Sequence, residues 1–186
     1  MSWIQQIDFM ILEWIQSHLQ GAALDLLMPL ITALGNGGWL FILLALVLLL
    51  SKRYRRQGCA LAVSLLLCLL VGNLFLKPLF ARLRPFEVAG LSELLISPPT
   101  DYSFPSGHTM ASFACAGVFW HYRRDFGRWS VVLLILAALI GFSRLYLYVH
   151  FPTDVLGGAV IGILLGWCSV QLVRLVFRKI RLQKEK

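Results

Sequence analysis

The sequence predicts an all-α membrane protein, a polytopic bundle of helices built as a single domain of residues 1–186. Hydrophobic residues make up 59% of the 186-residue chain, against about 45–50% in a typical soluble protein. Charged residues account for only 14%. The apolar residues are gathered into long runs, and most basic residues stand between the runs. This distribution is typical of several membrane-spanning helices joined by short loops.

Residues 1–37 form the first segment. WIQQIDFMILEWIQSHL is amphipathic, which is typical of an interfacial helix, and LDLLMPLITALG is apolar but short. We expect this segment to add either a further crossing or an interfacial helix. No cleavable signal peptide is predicted, because the first 20 residues lack a basic region and carry Asp8, Glu13 and His18.

Five apolar runs follow, and about 20 residues are needed for a helix to cross a bilayer. We therefore expect five transmembrane helices, at roughly Gly38–Leu50, Gly58–Leu76, Phe104–Trp120, Trp129–Val149 and Pro152–Val176. Residues 38–178 would form the bundle and residues 179–186 a basic tail. The four cysteines lie inside these runs without metal-site or disulfide spacing, so we interpret them as small buried hydrophobic residues.

Basic residues set the predicted orientation. Of the 17 Lys and Arg residues, four lie in residues 52–56, three in residues 123–128 and six in residues 174–186. These three segments fall on one side of the predicted bundle, and the positive-inside rule assigns that side to the cytoplasm. The net charge of +8 therefore indicates membrane topology, and no nucleic-acid partner is expected.

Polar residues gather on the opposite face, at the ends of the second and fourth spans and the start of the third. In chain order they are Lys77, Arg82, Arg84, Ser106, Gly107, His108, Arg144, His150 and Asp154. Two unit charges about 4 Å apart repel by about 4 kcal/mol at an effective dielectric constant of 20, so four neighbouring cations favour a bound anion. Arg and Lys suit phosphate, and the unpaired N–H groups of a helix start favour it further.

Two histidines and one carboxylate in this set suggest catalysis. A histidine can attack phosphorus through a free ring nitrogen, while a carboxylate on the other nitrogen fixes the tautomer. His150 and Asp154 are four residues apart, close enough to pair. His108 would then protonate the leaving oxygen.

In this pattern the sequence resembles the type 2 phosphatidic acid phosphatase family, which carries three signature motifs. K-x6-R-P is matched by Lys77, Arg84 and Pro85, and P-S-G-H by Pro105, Ser106, Gly107 and His108. S-R-x5-H-x3-D is matched by Ser143, Arg144, His150 and Asp154. Every fixed position is present, in order and at the family's spacing.

The resemblance implies a metal-independent phosphatase, without a cofactor, that forms a phosphohistidine intermediate. It implies that His150 is the nucleophile, that Asp154 orients it and that His108 is the general acid. The implied phosphate-binding residues are Lys77, Arg84, Arg144, Ser106 and Gly107, with Arg82 and Ser143 as further candidates. The family's core of six spans favours a crossing within residues 1–37.

The resemblance also implies a substrate, a lipid phosphate or pyrophosphate whose tails stay in the bilayer. Undecaprenyl pyrophosphate is the first expectation, with phosphatidylglycerophosphate, phosphatidic acid and the lipid A 1-phosphate as alternatives. The protein would lie in the bacterial cytoplasmic membrane, with its site facing outward and its C terminus in the cytoplasm. Its partners would be membrane lipids, with no evident obligate protein partner. The loop Glu87–Tyr102 is short. Its carboxylates Glu87, Glu93 and Asp101 could either shape headgroup choice or solvate the loop, and we favour solvation.

Two other functions fit parts of the pattern. A phosphotransferase would pass the phosphoryl group from the same intermediate to a lipid or sugar hydroxyl. A transporter or anion channel would need charges at membrane mid-depth, and the apolar middles of the spans count against it.

Overall fold

The computed structural model describes residues 3–184, and the regular elements in that range are all helical. The α-helices are α1 (Trp3–Leu19), α2 (Ala22–Ala33), α3 (Trp39–Leu50), α4 (Arg55–Leu67), α5 (Lys77–Phe80), α6 (Pro85–Ala89), α7 (Gly107–His121), α8 (Arg123–Phe126), α9 (Trp129–Tyr146) and α10 (Pro152–Lys184). A 3₁₀ turn, Asn36–Gly38, precedes α3, and a π-helical segment, Cys68–Leu76, joins α4 to α5. The prediction of an all-α helix bundle is confirmed.

Helix α7 is the centre of the bundle and packs against α10, α9 and α4. Its residues Cys115 and Val118 are fully buried in a core that also contains Leu61 of α4, Ile140 of α9 and Val170 of α10. Burial of these apolar side chains stabilises the arrangement of the four helices. The start of α7 is thereby fixed relative to its neighbours.

Within residues 3–184, three helical stretches are long and apolar enough to cross a membrane: Arg55–Ala89, Trp129–Tyr146 and Pro152–Gln183. A fourth is formed if Ala22–Ala33 and Asn36–Leu50, which are bent by 40° at a break, count as one span. Two of the five expected spans are too short to cross alone: α3 has 12 residues, close to the short run expected from the sequence, and α7 has 15. At about 1.5 Å per residue they measure roughly 18 and 22 Å, against a hydrocarbon layer of about 30 Å.

The helix boundaries also differ from the expected ones. Helix α7 starts at Gly107, because Ser106 is extended (φ −66°, ψ 110°) and forms the N-cap. Helix α9 stops at Tyr146, so that His150 lies in a loop. Helix α10 continues to Lys184, and the described part of the expected basic tail is therefore helical. Residues 167–184 contain no Gly or Pro that would end the helix earlier.

Helix α1 is amphipathic, as predicted. Its residues Trp3 and Met10 are 70% and 60% exposed, whereas Leu12 and Asp8 are buried. An apolar face of this kind suits contact with lipid. Helix α2 meets the length for a span only in combination with α3.

The expected basic segments meet at one end of the bundle. A cavity of about 360 Å³ at this end is lined by residues of α4, α10 and the end of α7: Arg56, Tyr122, Val173, Arg174, Phe177, Arg178 and Arg181. His108 belongs to the first turn of α7 and Tyr122 follows its last residue. The basic end and the motif residues therefore lie at opposite ends of α7.

Candidate active site

A cavity of about 860 Å³ lies where the turn before α3, the π-helical segment and the start of α7 come together. Its lining includes six of the residues predicted from the sequence, namely Lys77, Arg84, Gly107, His108, Arg144 and His150. Other walls are apolar and include Ile42 of α3, Leu65 and Leu66 of α4 and Leu69 of the π-helical segment. The cavity therefore joins a cationic region to an apolar one.

His150 lies between α9 and α10 and is 1% exposed. Its Nε2 is 3.2 Å from Nη1 of Arg84. Since a guanidinium only donates, Nε2 accepts this hydrogen bond and Nδ1 carries the ring hydrogen. Nδ1 is 3.4 Å from Oγ of Ser103 and 3.7 Å from Oδ2 of Asp154. The ring nitrogen with the lone pair thus faces the cationic part of the site.

The surroundings of His150 keep its ring uncharged. Burial is the largest cause, and the positive charges of Arg84, Arg144 and Lys77 act in the same direction. Together they lower the pKa of His150 well below its usual range. At neutral pH the imidazole is therefore uncharged and retains the lone pair on Nε2.

Asp154 lies in the first turn of α10 and is completely buried. Its Oδ2 accepts hydrogen bonds from Oγ of Ser103 (2.5 Å) and from the N–H of Phe151 (2.8 Å). Its Oδ1 accepts one from Nη1 of Arg82 (2.5 Å). The distance of 3.7 Å to His150 is longer than a hydrogen bond. Ser103, which was not predicted, contacts both members of the pair.

Arg84 and Lys77 are joined by Asp101. Arg84 is 1% exposed and donates from Nη2 to Oδ1 of Asp101 (2.5 Å), from Nε to the Asp101 carbonyl (2.7 Å) and from Nη1 to the Val149 carbonyl (2.7 Å). Lys77 forms an ion pair with Oδ2 of Asp101. The interpretation of Asp101 as a solvating loop residue was wrong, because its carboxylate bridges two of the predicted phosphate-binding cations.

The charge of Asp101 follows from this bridge. Partial burial acts to raise the pKa of its carboxyl group, but the hydrogen bond and charge of Lys77 and the charge of Arg84 outweigh it. The pKa of Asp101 is lowered to about 2. Asp101 is therefore ionised at neutral pH and offsets part of the positive charge.

Arg144 supplies a further cation and is 2% exposed. Its Nη1 donates to Oγ1 of Thr32 in α2 (2.7 Å). Its Nε is buried without a hydrogen-bond partner among the described residues. An unpaired buried donor costs about 1–3 kcal/mol. An anion in the cavity beside Arg144 would relieve that cost.

His108 and Gly107 bring the start of α7 to the cavity. Nε2 of His108 is 2.8 Å from Oδ1 of Asn36, which lies in the turn before α3. A Cβ added to Gly107 would lie 3.2 Å from Oδ1 of Asn73 and 4.0 Å from Nζ of Lys77. The absence of a side chain at Gly107 therefore lets the helix start approach Lys77 closely. Asn36 and Asn73 also line the cavity, and neither was predicted.

Ser106 and Ser143 were predicted to contact phosphate, but neither is among the residues that line the cavity. Ser106 is fully buried; its N–H donates to the Asp154 carbonyl (3.1 Å) and its Oγ accepts from Oγ1 of Thr109 (2.9 Å). Ser143 is also fully buried and donates to the Ile140 carbonyl (2.7 Å). Both hydroxyls are thus engaged inside the protein and stabilise the backbone around the site.

Three of the residues that were not predicted share one property, whereas Asn73 lies in the π-helical segment. Ser103, Asn36 and Thr32 are small polar residues in or beside turns, where such residues occur for many reasons. The Thr32 contact crosses 112 residues of chain. No pattern in the sequence marks such partners. Among residues 3–184, no group of three or more His, Cys, Asp or Glu side chains is arranged to hold a metal ion.

Comparison with known proteins agrees with the motifs. Residues 57–178 match the model of the PAP2 superfamily. An undecaprenyl-diphosphatase of Sulfolobus acidocaldarius is 34% identical over 157 residues, which cover 84% of this chain and 74% of the relative.

Two crystal structures share the fold. LpxE of Aquifex aeolicus superposes with a TM-score of 0.75 at 30% identity, covering 89% of this chain and 95% of the other. A PAP2-type phosphatidylglycerolphosphate phosphatase of Bacillus subtilis gives a TM-score of 0.76 at 26% identity, covering 97% and 89%. Because the matched segment includes all three motifs and the fold is shared over most of the chain, the protein belongs to the PAP2 superfamily of membrane lipid phosphatases.

Proposed function

We propose that this protein hydrolyses a lipid phosphate or pyrophosphate through a phosphohistidine intermediate on His150. The observation that carries the proposal is the position of His150. Its uncharged ring lies at a cavity that has a cationic region, formed by Lys77, Arg84 and Arg144, and an apolar region. An amphiphile with a phosphorylated headgroup matches both parts.

In the first step Nε2 of His150 attacks phosphorus. A P–N bond forms, the bond from phosphorus to the leaving oxygen breaks, and His108 donates a proton to that oxygen. The cations Lys77, Arg84 and Arg144 stabilise the negative charge on the phosphoryl oxygens. A bound phosphate also places negative charge near His108, which favours the protonated ring that the step requires.

The other side of the His150 ring supports the same step. As Nε2 bonds to phosphorus, the imidazole gains positive charge. The carboxylate of Asp154 at 3.7 Å and the hydroxyl of Ser103 at 3.4 Å from Nδ1 stabilise this charge and hold the ring orientation.

In the second step water cleaves the P–N bond. His108, now neutral, accepts a proton from the attacking water, inorganic phosphate leaves and His150 returns to its starting form. Every group in this scheme belongs to the chain, so we expect no requirement for an added metal ion.

The proposed first substrate is undecaprenyl pyrophosphate. The relative from Sulfolobus acidocaldarius is named an undecaprenyl-diphosphatase, and this supports a pyrophosphate headgroup. The Bacillus subtilis structure is named a phosphatidylglycerolphosphate phosphatase, which makes that phospholipid the main alternative. The apolar wall formed by Ile42, Leu66 and Leu69 offers a surface for lipid tails.

The proposed orientation places the site at the outer surface of the bacterial cytoplasmic membrane. The basic residues around Arg56 and Arg174 lie at the opposite end of α7, and by the positive-inside rule that end faces the cytoplasm. The C terminus follows Arg174 on α10 and would lie on the same side.

The test is phosphate release by the purified protein in detergent from undecaprenyl pyrophosphate, phosphatidylglycerophosphate, phosphatidic acid and lipid A. We expect His150→Ala to lower turnover by at least about 10³-fold. His121→Ala, at the far end of α7, is the matched control and should retain activity. Wild-type turnover by His150→Ala would contradict the mechanism. Loss of activity in EDTA that a divalent cation restores would contradict the metal-free scheme, and acceptor-dependent product without free phosphate would indicate a transferase.

A further inference from the structure

Arg82 connects the N-terminal helix to the catalytic pair. It lies in the segment between α5 and α6, and its guanidinium donates in two directions. Nη2 donates to Oδ2 of Asp8 in α1 (2.7 Å), and Nη1 donates to Oδ1 of Asp154 (2.5 Å) and to Oγ1 of Thr153 (2.7 Å). The side chains of Asp8 and Asp154 are 1% and 0% exposed. One guanidinium therefore serves two buried carboxylates.

Asp8 is fully engaged in this contact. Its Oδ1 accepts from the N–H of Thr153 (3.0 Å) and its Oδ2 from the hydroxyl of Thr153 (2.6 Å), in addition to Arg82. Thr153 immediately precedes Asp154 in the first turn of α10. Asp8 thus holds both the cation that binds Asp154 and the backbone beside it.

The main chain of Arg82 positions Ser103, which lies beside Nδ1 of His150 together with Asp154. Its carbonyl accepts a hydrogen bond from the N–H of Ser103 (2.8 Å), and Oγ of Ser103 donates to Oδ2 of Asp154 (2.5 Å). The Arg82 guanidinium also lies over the ring of Phe151, with Cζ 4.2 Å from the ring centroid. Phe9 of α1 packs edge-on against the same ring at 5.2 Å.

We propose that Asp8 and Arg82 are positioning residues of the active site, so that α1 forms part of the catalytic apparatus. Arg82 fixes Asp154 and Ser103 against Nδ1 of His150, and Asp8 fixes Arg82. The inference rests on the proposed function, in which His150 is the nucleophile. It changes the expected role of Arg82, whose guanidinium binds carboxylates instead of phosphate. Asp8 lies outside residues 57–178, the segment that matches the family.

The positions of these residues predict which kinetic constant changes. Neither Asp8 nor Arg82 is among the residues that line the 860 Å³ cavity. Loss of either should therefore leave substrate binding intact and misplace the groups that support His150. The expected effect is a lower kcat with little change in KM.

The experiment compares Asp8→Asn, Arg82→Gln and Arg82→Lys in the full-length protein, with the best lipid substrate of the panel. We expect Asp8→Asn and Arg82→Gln to lower kcat by at least about tenfold, with KM within about twofold of wild type. Arg82→Lys should recover part of the loss, because it restores the charge but not the two-sided contact. Asp25→Asn is the matched control: Asp25 of α2 accepts a hydrogen bond from the Tyr146 hydroxyl (2.5 Å) outside this network. It should retain wild-type kcat.

Double variants separate positioning from general destabilisation. If Asp8 acts through Asp154, Asp8→Asn should cause no further loss of kcat in an Asp154→Asn background. Thermal unfolding of each variant identifies any that does not fold, and Asp8→Asn, which keeps the side-chain shape, carries the test if Arg82→Gln does not fold. Wild-type kcat in Asp8→Asn, or independent losses in the double variant, would overturn the inference. His150→Ala is measured alongside: activity in that variant would reject the proposed function, whereas its inactivity combined with a fully active Asp8→Asn would reject only the role of α1.

Discussion

Asp101 is the residue whose role the structure changes most. Its two carboxylate oxygens contact Arg84 and Lys77, the cations that the mechanism assigns to phosphoryl oxygens. Its side chain is 55% exposed, so the carboxylate can move away without disturbing the core. In the proposed mechanism, a substrate phosphate would therefore compete with Asp101 for the same two cations.

Asp101→Asn tests this competition. Removing the charge while keeping the shape should strengthen binding of phosphate analogues, and we expect the inhibition constant of vanadate to fall by about 3- to 10-fold. Two unit charges about 4 Å apart interact by up to about 4 kcal/mol at an effective dielectric constant of 20, and solvent around a half-exposed group reduces this. Glu93→Gln is the control, because Glu93 is also exposed and on the same loop but is not part of the bridge between Lys77 and Arg84. A higher inhibition constant in Asp101→Asn would show that the carboxylate orders the cations instead.

At the residue scale, the sequence indicated the cations that line the cavity but not their polar surroundings, which include Asp101, whose role was misinterpreted, and Ser103. Lys77, Arg84 and Arg144 could be predicted because cations on the outer ends of membrane spans need a specific reason to be there. Ser103 could not, because a serine before a helix is most often a turn or capping residue. Its contacts with His150 and Asp154 depend on how α7 packs beside α10.

At the scale of elements, α7 and α10 approach closely through glycines. Gly158, Gly162 and Gly166 recur at every fourth residue of α10 and contact the backbone of α7. A Cβ on Gly166 would lie 2.6 Å from the carbonyl oxygen of Ala114. Small residues at this spacing allow membrane helices to pack backbone against backbone. The packing holds Asp154, near the start of α10, beside Ser106 at the start of α7.

Gly166→Ala should separate the two helices and lower the free energy of unfolding by about 1–3 kcal/mol, because the added methyl group has no space. Gly117→Ala, on α7 at the same interface, is the matched control: its Cβ would lie 3.6 Å from Ile163, an ordinary contact. Since alanine favours helix over glycine by about 1 kcal/mol, Gly117→Ala should be neutral or slightly stabilising. Denaturation in detergent measures both. Equal stability of the two variants would contradict this account of the interface.

The sequence predicted that the elements are helices, but it predicted their boundaries and local geometry less well. Long apolar runs indicated the helices, but the sequence pattern did not reveal the π-helical segment Cys68–Leu76. Gly72 in that segment lies against the end of the Met110 side chain of α7, which would have to move if Gly72 carried a Cβ. Asn73 and Lys77 follow and both line the cavity. Sequence periodicity alone does not indicate such a local change of helix geometry.

At the scale of the whole molecule, the two ends of the bundle carry different kinds of positive charge. Around Arg174 and Arg178 the arginines are exposed, as expected of residues that set topology. At the other end Arg84 and Arg144 are buried and held by specific hydrogen bonds. The overall fold and the three motif segments were predictable from the sequence. The contacts of Asp8 were not, because they join it to Arg82 and Thr153, which lie 74 and 145 positions away in the chain.

The central claim is that the phosphoryl group of the substrate is transferred to His150 before water releases it. Its most direct test is rapid quenching of the purified enzyme with a lipid pyrophosphate labelled with ³²P in the terminal phosphate, followed by mass spectrometry of the labelled peptide. The mechanism predicts an acid-labile label on His150 that forms within one turnover and decays as inorganic phosphate appears. Phosphate release without labelled protein, or a label on another residue, would contradict it.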